Sequence, residues 1–89
     1  MTTAEWLEAR LRDAFGPQHL EVVDESAQHA GHAGARGGGG HYRVVIVADA
    51  FRDKTRLERH RAVYDAVGEA MQQRIHALAL RALTPEEWR

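Results

Sequence analysis

The stretch His41-Tyr42-Arg43-Val44-Val45-Ile46-Val47-Ala48-Asp49 decides the fold. Its valines fall on both alternating sets of positions, as expected of a central strand covered on at least part of both faces. Upstream, Leu20-Glu21-Val22-Val23-Asp24 is a shorter β-leaning run. The segment between them, after Asp24-Glu25-Ser26, holds five of the eight glycines before Gly40 itself and no large apolar residue, so it reads as a loop. Downstream, Phe51 to Lys54 reads as a turn or a single helical turn. Thr55 with Glu58 three residues later is a capping-box signature that opens a long helix ending near Gln73. Leu57, His60, Val63, Tyr64, Val67 and Met71 fall on one side of that helix, which predicts a buried stripe with His60 as a packed core residue. Ile75 to Leu83 has a period of two, with His76, Leu78 and Leu80 on one face.

Further outward, Thr2 with Glu5 repeats the capping box. Leu7, Leu11, Ala14 and Phe15 then recur at helical spacing until Gly16-Pro17, which predicts a first helix over residues 3–15. Thr84-Pro85-Glu86-Glu87 starts a short terminal helix with proline in its first position. Two strands joined by a loop suit an antiparallel pair, whereas strand, helix, strand from 42 to 83 suits a right-handed crossover to a parallel partner. The expected product is a single α+β domain over residues 1–89, of order α-β-β-α-β, with a three-stranded mixed sheet and its helices packed on one face.

Composition narrows the function classes. Eighty-nine residues, 44% of them hydrophobic, fill one small core. Without cysteine the chain has no disulfide, no cysteine-rich zinc site and no thiolate of its own for an iron-sulfur cluster. No apolar run reaches the roughly 18 residues of a membrane span, and the start lacks a signal peptide's positive charge, so the reading is soluble and cytoplasmic. The net charge of -1 conceals an uneven layout. Residues 1–30 carry six acids against two arginines, while residues 52–61 carry Arg52, Lys54, Arg56, Arg59 and Arg61 against Asp53 and Glu58. That basic segment reads either as a solvated helix shoulder or as a surface for phosphate or an acidic protein.

Covalent catalysis finds no machinery here. The only serine, Ser26, follows two acids that oppose alkoxide formation, and the run Gly37 to Gly40 leads into a strand rather than the Lys-Ser/Thr and helix of a phosphate loop. Histidine is the unusual residue, six in 89. His29 and His32 lie in the glycine loop, His41 ends it, and His76 opens the last strand. Neutral imidazole is the commonest metal ligand. Loop histidines are also often no more than polar loop residues, while a strand-end imidazole such as His76 sits where an ion or partner can reach it.

Taken in order, Ala14-Phe15-Gly16-Pro17, Leu20-Glu21-Val22 with Asp24-Glu25-Ser26, His29-x-Gly31-His32, Gly39-Gly40-His41-Tyr42, Arg59-His60-Arg61-x-Val63-Tyr64, Ile75-His76-Ala77-Leu78 and Thr84-Pro85-Glu86-Glu87-Trp88 resemble the BolA family over nearly the whole chain. The resemblance implies a fold similar to the class II KH domain. It also implies a non-enzymatic partner of a monothiol glutaredoxin, in iron-sulfur trafficking or iron homeostasis. The pair would share a 2Fe-2S cluster, whose sulfur ligands come from the glutaredoxin cysteine and glutathione, and the isolated chain would bind none. By the same resemblance His76 is one ligand and His29 the other, with His32 and His41 as rivals. The family's other proposed activity, KH-like DNA binding in transcription regulation, would fall on residues 52–61. There the family's Phe-x-Gly-Lys-Ser is Phe51-Arg52-Asp53-Lys54-Thr55, and Asp53 adds a negative charge where a phosphate backbone would approach.

Overall fold

Thr2 Oγ1 accepts from the Glu5 N–H at 3.1 Å while Glu5 Oε1 accepts from the Thr2 N–H at 2.9 Å, and this reciprocal cap opens helix α1, Thr3–Phe15. The structure, a computed structural model, describes residues 2–26 and 40–88. Leu7 and Leu11, one turn apart, are the fully buried residues of α1. Strand β1, His19–Asp24, runs antiparallel to β2, Gly40–Val47, with Leu20 opposite Ile46 and Val22 opposite Val44. A 3-10 turn at Asp49–Phe51 leads to α2, Arg56–Val67, which has its own capping box between Thr55 and Glu58. A four-residue helix α3, Ala70–Gln73, follows. Strand β3, Ile75–Leu83, then returns parallel to β2, giving the order β1-β2-β3. Helix α4, Pro85–Trp88, closes the described chain. The mixed sheet, both strand pairings and the element order are those the sequence predicts.

One sheet face carries the core. Tyr42, Val44 and Ile46 of β2, flanked by Leu20, Val22, Leu78 and Leu80, pack against Leu7, Leu11, Phe51, Val63 and Val67. Asp53 has φ 63°, the left-handed conformation that the turn needs and that Asp tolerates better than most residues.

Two details of the helical region differ from the sequence reading. The predicted single helix to Gln73 breaks at Gly68, whose φ of 64° and ψ of -137° lie in territory reserved to glycine. The predicted stripe is also rotated, for Leu57 is 59% and Tyr64 38% exposed, and His60 is half-buried with its ring edge-on to Tyr64 at 6.4 Å. At about 100° per residue, Val63 and Val67 lie about 40° apart while Leu57 and Tyr64 lie about 100–120° from Val63. Ala70, in α3 beyond the break, joins the same core as Val63 and Val67.

Candidate functional site

The β2–β3 pairing is irregular at its start. Gly40 pairs with Ile75 but His41 pairs with Ala77, so His76 is the extra residue of a bulge. The bulge turns Ile75 into the core, where it is 2% exposed, and leaves His76 exposed. His76 is thereby removed from the face it was predicted to share with Leu78 and Leu80, both of which pack on the core. Its ring comes to rest 5.1 Å from that of His41, centroid to centroid, at an interplanar angle of 51°.

Backbone and side-chain bonds hold this end of the sheet. The Glu25 N–H donates to the His41 carbonyl at 2.7 Å, the His41 N–H donates to Ser26 Oγ at 3.1 Å, and the Gly40 N–H donates to the Arg74 carbonyl at 3.0 Å. Ser26 is thus an anchor for His41. Gly40 leaves room for the buried Tyr42, whose ring carbon would lie 2.5 Å from an added Cβ. Gly40→Ala is therefore expected to displace the Tyr42 ring and cost about 1–3 kcal/mol, read as a lowered melting temperature.

The histidine pair can be tested against the geometry of a shared ion. An imidazole nitrogen about 2.1 Å from a metal puts its ring centroid roughly 3.2 Å away, and two such rings at a tetrahedral angle have centroids roughly 5.2 Å apart. The observed 5.1 Å fits that requirement. No group of three or more His, Cys, Asp or Glu side chains that could hold a metal ion occurs among the described residues, so further ligands would come from elsewhere. Of the four predicted ligands the structure brings together His41 and His76. His29 and His32 lie outside the described residues.

The basic segment divides into two sets. Arg52 pairs with Glu86 and, at 3.1 Å, with Asp49. Arg59, whose side chain is 13% exposed, donates to Glu87 Oε1 at 2.6 Å, to the Ala82 carbonyl at 3.1 Å and to the Lys54 carbonyl at 3.0 Å. These two arginines fasten α4 to the start of α2 and to the β3 edge. Lys54, Arg56 and Arg61 stay exposed, and Lys54 and Arg56 share a groove with His60 and with Arg81 of β3, which the sequence reading missed. Arg81 is separated from the segment by 20 residues or more, and only the parallel crossover brings it there.

Arg59 and the Thr84 backbone hold the Glu87 carboxyl at about 2, below the ordinary 4.5. Because the folded-state value is the lower one, the stabilisation is complete above 4.5 and is lost as pH falls toward 2. The melting-temperature advantage of the wild type over Glu87→Gln should shrink across that window, and a difference constant from pH 6 to pH 2.5 would refute the assignment.

The fold and site together define a class: a cysteine-free α+β domain with a three-stranded mixed sheet that presents an imidazole pair at one sheet end and a basic groove along β3 and α2. The chain belongs to the BolA-like protein family, whose model matches residues 11–87. It is 43% identical over 88 residues to the DNA-binding transcriptional regulator BolA of Escherichia coli (strain K12), covering 99% of this chain and 81% of that protein. It is 40% identical to BolA-like protein 1 of Mus musculus, over 93% of this chain and 58% of that protein. Among solved structures, the BolA domain of SufE1 from Arabidopsis thaliana superposes with a TM-score of 0.85 at 36% identity, over 98% of both chains. No helix among the described residues is long and apolar enough to cross a membrane.

Proposed function

We propose that this chain is a non-enzymatic partner that co-ligates a 2Fe-2S cluster bridging it to a monothiol glutaredoxin, with glutathione supplying a further thiolate. The observation that carries the reading is the 5.1 Å juxtaposition of the His41 and His76 rings at the sheet end. Histidine can replace cysteine on one iron of such a cluster, and two imidazoles on one iron raise its potential. His76 is one ligand. The second comes from His41, with His29, which the family resemblance favours, and its rival His32 as the alternatives. The chain's own contribution is positional, since the bulge turns His76 outward and Ser26 with Glu25 fixes the His41 backbone.

The experiment is reconstitution of the chain with a purified monothiol glutaredoxin, iron, sulfide and glutathione. The reading predicts a heterocomplex whose visible absorption differs from that of the glutaredoxin alone. An unchanged glutaredoxin spectrum with no co-elution would refute it.

A second reading, KH-like DNA binding, has a specific observation behind it. Lys54, Arg56 and Arg81 line one groove together with His60, and the Escherichia coli relative is named a DNA-binding transcriptional regulator. With Arg52 and Arg59 committed to α4, the binding would be weak, non-specific and steeply salt-dependent. Arg56→Ala should reduce the slope of log K against log salt by about 1. Tight binding to one sequence that is insensitive to Arg56 and Arg81 would count against this groove.

A further inference from the structure

Among the described residues, the outer face of the sheet, opposite α1 and α2, is bare over its middle. Alternation along β2 puts His41, Arg43 and Val45 on this face, and the strand register brings Ala79 beside Arg43 and Arg81 beside Val45. Val23 of β1 is 39% exposed, and with Val45 and Ala79 it forms an apolar strip where water-facing positions ordinarily carry polar residues. Two guanidinium groups stand within it, for Arg43 lies between Val23 and Ala79, and Val45 lies between Arg81 and Glu21. Arg43, with its side chain 58% exposed, makes a 3.4 Å ion pair with Glu25, while Arg81 is exposed and forms no ion pair among the described residues. Of the two carboxylates at this face, Glu25 is the partner of Arg43 and Glu21 is hydrogen-bonded to His19 at 2.8 Å.

We infer that this face, through Arg43, Val45, Ala79 and Arg81, is the docking surface for the thiol-bearing protein that shares the cluster, and that it receives an apolar patch flanked by carboxylates. The inference rests on the proposed cluster-sharing function. Two arguments select this occupant. The strip is continuous with the histidine pair, since Arg43 and Val45 follow His41 on the same side of β2 at about 7 and 13 Å. A stable protein–protein contact covers about 800 Å² on each partner, a disc of roughly 16 Å radius, so a protein seated on the His41–His76 end extends over this strip. Charge gives the second argument, because exposed guanidinium groups beside apolar surface complement an acidic-rimmed patch and repel a basic one.

The test measures affinity for a purified monothiol glutaredoxin, with and without reconstituted cluster, for the wild type and three variants. Arg43→Glu/Arg81→Glu should weaken the complex by about tenfold or more, and Ala79→Glu should do the same by placing a carboxylate in the apolar strip. Arg56→Glu, on the α2 groove, should leave affinity within about twofold. Complex that does form with the double variant should keep the wild-type visible spectrum, because both histidines remain. Amide shifts in the labelled wild-type chain give a reading independent of variant folding, and residues 21–23, 43–45 and 79–81 should move on addition of the partner. Wild-type complex formation with affinity unchanged in the double variant, or shifts confined to α1 and α2, would overturn the surface while leaving the cluster proposal standing. Absence of any wild-type complex overturns both.

Discussion

His76→Ala is expected to abolish the stable heterocomplex cluster while leaving the apo chain folded. The residue is exposed at the bulge, and Ile75, not His76, fills the core there. Losing an exposed ring at such a place shifts stability by no more than about 0.5 kcal/mol. An iron deprived of a nitrogen ligand has no comparable substitute, and even perturbing groups around a ligand weakens metal sites about 10–100-fold. The cluster absorption should be lost, or surrender to a chelator should accelerate by at least that factor, with an unchanged melting curve. Unaltered cluster binding would show that His76 is not a ligand, and an unfolded variant would show that it is a structural residue.

Phe51→Ala is expected to have the opposite profile. Phe51 is 0% exposed and heads the fully buried side chains by volume, and its ring lies 5.1 Å from that of Phe15, tying the turn after β2 to the end of α1. Truncating a buried Phe costs about 3–5 kcal/mol through lost burial and an unfilled cavity. A chain of this length has a total stability of only about 4–13 kcal/mol. At about 4–8 °C per kcal/mol, the melting temperature should fall by 12 °C or more. Cluster binding would then fail only at temperatures where the chain unfolds, and would return on cooling. A loss of less than 1 kcal/mol would show that the core closes without this side chain.

These contrasts bear on how much the sequence discloses. The strands and helix starts were legible because their signals are local. Alternation over residues 41–47, the three Thr-x-x-Glu caps and Pro85 each act within one or two turns of chain, and each element begins where they place it. The buried side of α2 was not legible. Hydrophobic identity favours Leu57 and Tyr64, whereas the core takes the Val63–Val67 side of the helix and leaves both exposed. The bulge was hidden for a different reason, because the period of two in Ile75 to Leu83 continues through it and only pairing with β2 exposes the slip. Non-local ion pairs were equally invisible. Arg52 and Arg59 looked like a free basic surface until Glu86 and Glu87 arrived from the far end of the chain, while Arg81 joined the groove from β3. The His41–His76 pair combines both difficulties. Each histidine was a candidate by position, but their proximity depends on register and bulge.

Under the proposed function, the same geometry gives a chain without a thiolate its part in iron-sulfur chemistry. Two imidazoles held by neighbouring strands need little reorganisation to meet one ion, yet they leave the remaining ligands to a partner. The most direct measurement is pulsed electron paramagnetic resonance on the reduced heterocomplex, with nitrogen-15 histidine present only in this chain. The account predicts two histidine nitrogen couplings to the cluster, one lost in His76→Ala and the other in His41→Ala. A cluster with no coupling to this chain's histidines, or couplings that both survive His76→Ala, would contradict it.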